Sequence, residues 1–269
     1  MKKTENHRMD GDVFRFAGRR ILQQYVLLML AMPLLLGASS TEGVEDDAPA
    51  STGNNDEMKF GLEIYMWAPS ISGGTRRGRD ADISFQDILD KLQFSGMMAA
   101  GIKKGKWSLL GDVIYMDLEG DVGVTSRQNT KLTMESWIVH LGGAYTVFKN
   151  EDVSLDVLAG ARYLYMDVDA GIQRSDISVS KGVWNGIAGM KGRIELPEQW
   201  FCTYYADAGT GESKFTWQLM GSVGYEFQKF DAFLGYRHMV WNFDEDDTLG
   251  RAFKNLAISG PYAGVLFVF

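Results

Sequence analysis

The chain is poor in the residues that would build a disulfide scaffold or a metal centre. A single cysteine, Cys202, excludes an internal disulfide framework and a multi-cysteine metal site. Its expected role is that of a small apolar residue packed on a strand. Three histidines and five prolines are few. Long apolar runs are missing too. Beyond the N-terminal region nothing approaches the ~20 unbroken apolar residues of a membrane helix, so a helical membrane protein is excluded. A mean hydropathy of −0.15 leaves a membrane β-barrel open, because alternating strands dilute their own hydropathy. Glycine is abundant at 31 residues, as turns and crowded strands in a narrow barrel require.

The first 40 residues read as a secretory signal. Lys2, Lys3, Arg8, Arg15, Arg19 and Arg20 precede an apolar run over 25–36, and Gly37, Ala38, Ser39 and Ser40 follow it. The run is too short for a stable transmembrane helix. Met9 offers an alternative start with a shorter basic region. No cysteine stands at the end of the run, so no lipoprotein anchor is expected. Removing these six basic and three acidic residues from 27 and 35 leaves 21 and 32, a net charge of −11. Such a chain lacks the basic footprint of a nucleic-acid binder. Residues 41–57 are acidic and without periodicity, an expected disordered leader, and the β-barrel domain is placed over 58–269.

The strongest structural signal lies in 215–237. Phe215, Trp217, Leu219, Gly221, Val223, Tyr225 and Phe227 alternate with Thr216, Gln218, Met220, Ser222, Gly224 and Glu226. Successive strand side chains point to opposite faces, so one face is apolar and the other polar. Similar patterns run over 58–69, 94–102, 107–118, 132–147, 154–168, 179–195, 200–209, 232–240 and 255–269. That predicts an all-β fold: an antiparallel transmembrane barrel of about ten strands, with eight and twelve as the neighbouring even counts. Short turns at 103–106, 149–152, 196–199 and 228–231 alternate with longer segments at 70–93, 119–131, 169–178, 209–214 and 244–254. Membrane barrels show this asymmetry, short on the periplasmic side and long outside. Within the first long segment, Phe85, Ile88, Leu89 and Leu92 have helical spacing behind a Ser84 cap, predicting a short amphipathic helix over 84–92. Trp107, Tyr145, Trp200, Tyr225, Phe227 and Phe267 gather at strand ends beside short turns, an expected aromatic girdle at one membrane interface.

The same alternation sends charge to the lumen: Glu63, Asp112, Asp156, Asp207 and Glu226, with Arg162, Lys191, Arg193 and Arg237. An ionised group facing lipid costs ~2–4 kcal/mol at the midplane, which fixes the phase of each strand. One charge network is expected, centred on Arg162, Arg193 and Arg237, because unpaired buried charge is expensive. Its consequence is a passive barrel without cofactor or metal, either a structural surface barrel or a narrow, porin-like channel. A barrel hydrolase of lipid or peptide would need His beside Ser, Asp or Glu near the outer rim. After the signal only His140 and His238 remain; His238 falls on the lipid phase, and the inward step from His140 on its own strand offers Ser136 and no acid. The acidic run 244–247 reads as a solvated loop before a cation or lipopolysaccharide site. A soluble, lipocalin-like ligand-binding barrel would invert the pattern, with an apolar interior.

The closing stretch 259–269, with Ala263, Val265, Phe267 and the terminal Phe269 on one face, resembles the last strand of Gram-negative outer-membrane barrels. Together with 160–163, 189–193, 215–218, 235–237 and 259–261, it makes residues 58–269 similar to uncharacterised small barrels akin to outer-membrane protein A-like transmembrane domains. The resemblance implies location in the outer membrane, contact with its lipid and lipopolysaccharide, and Phe269 as the signal read by the barrel-assembly machinery. It implies no substrate.

Overall fold

The computed structural model describes residues 57–74, 80–83, 92–125, 128–172, 175–244 and 254–269. The described residues belong to one compact unit, 55–269. Expectations for the signal and the leader lie outside them, save Glu57.

Strands β1 (Met58–Trp67), β4 (Leu92–Lys104), β5 (Trp107–Thr125), β6 (Gln128–Lys149), β7 (Val153–Ile172), β8 (Ser175–Glu195), β9 (Trp200–Gly211), β10 (Phe215–Glu226), β11 (Asp231–Asn242) and β12 (Asn255–Val268) pair antiparallel in chain order. β12 returns to pair with β1, which closes a ten-strand barrel. The seam is bonded to its end: Phe60 and Phe269 exchange both backbone bonds, at 3.0 and 2.8 Å. Closure removes the open edge between the first and last strands.

Two short strands complete the sheet. β2 (Ser70–Gly74) continues along β12 where β1 leaves off, across the interruption at Ala68 and Pro69, and β3 (Asp80–Ile83) pairs with β2. A proline cannot donate to the ladder, which explains the break. The sequence reading, which took 70–93 as one loop with a helix, therefore misses a small hairpin. The helix expected over 84–92 lies outside the described residues, except that Leu92 opens β4. Segments 119–131 and 169–178, expected as loops, belong largely to long strands that reach Thr125, Ile172 and back.

Turn chemistry sets the register at the other rim. Gly105 has φ 58° between the paired Lys104 and Trp107, the geometry a II′ hairpin demands of its first central residue. Asn150 Oδ1 accepts from the backbone of Asp152 and Val153 at 3.2 and 2.6 Å, an Asx turn that ends β6.

Both faces follow from the alternation. Outside, Met66, Leu141, Leu219 and Leu234 stand exposed by 51–74%. Inside, the lumen has two layers. Toward the long connections it is apolar, built from buried Trp67, Met97, Ile114, Ile138, Leu164, Val183, Met239, Trp241 and Ile258 on eight different strands. Toward the short turns it is polar. The apolar upper layer departs from the expectation of a charged lumen throughout. Residues such as Ile114 and Ile138 sit where both phases of the strand are apolar, so sequence alternation says nothing about them.

Candidate functional site in the barrel lumen

The polar layer is organised by register. Asp112 on β5, His140 on β6 and Arg162 on β7 are successive cross-strand partners on the inward face. Arg162 Nε donates to His140 Nε2 at 2.7 Å, so that nitrogen accepts and the imidazole is neutral. Its proton then lies on Nδ1, 3.3 Å from Asp112 Oδ2. Asp112 also accepts from Tyr65 at 2.5 Å and from Arg237 Nη2 at 2.9 Å. Gln218 completes the circuit, its Oε1 accepting from Arg162 at 3.3 Å and from Arg237 at 3.1 Å. Arg162 further pairs with buried Asp207 and donates to Thr216 at 2.9 Å. The result is a chain of hydrogen bonds across the lumen, closed into a ring by the 3.3 Å contact between His140 and Asp112 and anchored on seven strands. The side chain of Arg162 is fully buried and that of Arg237 nearly so.

The apolar layer rests on this ring. The guanidinium of Arg162 lies 5.8 Å from the Trp241 ring and that of Arg237 lies 5.3 Å from the Trp67 ring. A weakly hydrated guanidinium tolerates an aromatic face where an ammonium would not. The two arginines thus form the boundary between dry and polar halves.

Below the ring lies a cavity of about 470 Å³ that extends to the short-turn rim, from Tyr65, Asp112 and Arg237 down to Lys59, Lys103 and Val268. Lys103 Nζ donates to Thr146 at 2.9 Å and stands 3.9 Å from Asp156. Beside the cavity, Arg193 packs 3.6 Å from the Phe201 ring centroid, pairs with Glu226, and reaches Asp231 at 3.0 Å and Glu195 at 2.8 Å.

The nine charges named from sequence all sit on inward phases, but they do not form one network. Arg162, Asp207, Arg237 and Asp112 join in the ring; Arg193 and Glu226 form a separate rim cluster; Asp156 faces Lys103; Glu63 and Lys191 line the cavity without an ion pair among the described residues. Distance is the reason: Arg193 lies at the rim, too far along the strand to reach the mid-barrel acids. Sequence reasoning missed His140, Gln218, Tyr65, Lys103 and Asp231 as partners. The inward face of His140's own strand carries no acid, since Glu135 is on the opposite phase, and its neighbour Asp112 becomes visible only through the β5–β6 register.

The girdle residues lie outside near the short turns. Trp107 stacks edge-on with Tyr145 at 4.8 Å, Trp200 with Tyr225 at 5.3 Å, and Tyr225 with Phe227 at 4.9 Å, while Phe267 lies 6.2 Å from Phe230. A second outward group went unnoticed in the sequence: Tyr115 with Trp137 at 4.6 Å, Tyr163 with Trp184 at 4.6 Å, and Trp217 with His238 at 4.8 Å. His238 also bonds Ser259 on the outer face. Trp107 and Tyr115, Tyr145 and Trp137, and Tyr225 and Trp217 are each eight residues apart on one strand. That spacing is about 26 Å along a strand, or about 20 Å of height at a ~40° tilt. Among the described residues no group of three or more His, Cys, Asp or Glu could hold a metal; of the acidic run 244–247 only Asp244 is described.

No protein-family profile and no curated protein matches the chain by sequence. Among solved structures, the outer membrane protease OmpT from Escherichia coli is similar at 9% identity and TM-score 0.42, over 80% of this chain and 98% of that one. Neisserial surface protein A is similar at 12% identity and TM-score 0.35, over 78% and 96%. Ail, the attachment invasion locus protein of Yersinia pestis, is similar at 12% identity and TM-score 0.38, over 80% and 99%.

Proposed function

We propose that the protein is an integral outer-membrane β-barrel with no catalytic role, its lumen sealed so that it serves as a structural surface barrel. The observation that carries this reading is the apolar outer belt, exposed on a closed barrel and bounded above and below by aromatic residues. A soluble monomer rarely exposes a contiguous apolar patch beyond a few hundred Å². A height of about 20 Å between aromatic rings is close to the ~25 Å apolar band of outer-membrane barrels. The charges on the inner phase fit the same solvent assignment.

The seal separates this reading from the channel. Side chains from eight strands meet in the apolar layer, and Ile114, Ile138, Leu164, Val183, Met239 and Trp241 have no exposed surface. A porin lumen is polar and wet. Reconstituted in planar bilayers, the barrel should give no stable conductance steps. Large, sustained steps would reject the seal, and recovery in the soluble periplasmic fraction without detergent would reject the membrane assignment.

A further inference from the structure

Most buried charge in this lumen is matched, and the exceptions share one cavity. Glu63 on β1 and Lys191 on β8 both line it, and neither makes an ion pair among the described residues. The strand order puts β8 five steps from β1 in either direction around the barrel, so the two groups extend from opposite walls. Asp156, in register beside Lys191, is taken by Lys103, whose Nζ stands 3.9 Å from its Oδ1, so it leaves Lys191 without an ion pair of its own. Leaving such groups unmatched is costly, and a retained mismatch points to something that completes it.

We propose that the cavity is a binding site for short apolar peptides with free termini. The ligand must carry one positive and one negative group, because a carboxylate and an ammonium face each other. Within a single α-amino acid the two charges sit on neighbouring atoms; opposed walls call for charges set further apart. Each added residue extends a chain by ~3.3–3.6 Å, so a dipeptide or tripeptide separates its termini suitably. The amino terminus meets Glu63 and the carboxylate meets Lys191. Between them Leu110, Leu158, Ile187 and Met220 supply an apolar wall. A volume of about 470 Å³ falls within the usual range for small-molecule pockets. The arginine ring and the layer above it make the far end blind, so the proposal rests on the sealed-lumen reading: a ligand enters and leaves by the short-turn rim.

The test is calorimetric titration of the folded, detergent-solubilised full chain with Leu-Leu, N-acetyl-Leu-Leu and Leu-Leu-amide. Leu-Leu should bind saturably, and blocking either terminus should weaken binding about tenfold or more, the worth of one hydrogen bond to a charged group. Glu63→Gln should remove the discrimination against the acetylated peptide, and Lys191→Met that against the amide. The wild-type comparison needs no variant to fold, and heat-shifted mobility on gels reports folding of the variants. No saturable heat up to about 10 mM, or equal binding of all three peptides, would overturn the proposal. A silent lumen without binding removes this proposal alone; a conducting lumen without binding removes the seal as well.

Discussion

Arg162 and Arg237 share one acceptor, the side-chain oxygen of Gln218, at 3.3 and 3.1 Å. Two cations brought to one neutral group would repel, and they stay because each has its own acid, Asp207 and Asp112. Gln218 joins two ion pairs into one ring. Gln218→Met keeps the length and removes the acceptor. Bonds to charged groups contribute ~1.5–3 kcal/mol, so the loss should lie near the upper end of that range, read as a lower unfolding temperature in heat-modifiability gels. Lys214→Ala, which removes an exposed pair with Asp244 at 3.6 Å, should leave that temperature unchanged.

Trp241 seals the dry layer yet leaves its indole N–H buried without a partner. Trp241→Phe removes the orphan donor and keeps most of the ring. It should be close to neutral, since the lost packing is offset by ~1–3 kcal/mol of relieved desolvation. Trp241→Ala opens a void and should cost ~3–5 kcal/mol. Only the alanine variant should also admit current in planar bilayers, because only it breaches the layer. If both variants behave alike in stability, the indole N–H is satisfied in solution.

Much of this architecture was legible in the sequence, for a physical reason. On the membrane reading proposed above, an ionised group on the wrong face of a strand is so costly that Arg162, Arg237, Asp112 and Asp207 declare the inward phase unaided. The turns around Gly105 and Asn150 declare the hairpins. Three features were not legible. Where both phases are apolar, as at Val113–Met116 and Trp137–Val139, alternation is silent and the dry layer disappears from view. Where polar residues and glycines outnumber the apolar ones, as at 119–125 and 175–180, strands look like loops. Partnership across strands needs register, which no single strand contains; His140 between Asp112 and Arg162 is the clearest case.

The Arg162–Asp207 pair permits a sharper test of what buried charge does here. Both side chains are inaccessible to solvent. Arg162→Met strands Asp207 and removes the donor to His140, and Asp207→Leu strands Arg162; each should cost ~3–5 kcal/mol. The double variant leaves no uncompensated charge at that pair, so it should be more stable than the sum of the two losses implies. A coupling of ~2 kcal/mol or more in a double-mutant cycle is expected. Additive losses would mean that water, admitted to the lumen, replaces each missing partner.

The seven tryptophans test the membrane assignment and the strand phases together. Trp107, Trp137, Trp184, Trp200 and Trp217 point outward, in two groups about 20 Å apart in height. Trp67 and Trp241 point inward and are 5% and 0% exposed. Lipids brominated along their chains quench indoles that touch them and leave lumen indoles bright. In single-tryptophan variants reconstituted in such lipids, the five outward residues should be quenched and Trp67 and Trp241 spared. Bromine placed near the headgroup should quench the outward residues more strongly than bromine near the chain ends, since both groups lie at interfaces where amphipathic rings settle. Strong quenching of Trp241 would place the apolar layer on the outside of the barrel and reverse every phase argued from the arginines. Indifference of all seven to bromine would mean that the belt does not meet lipid.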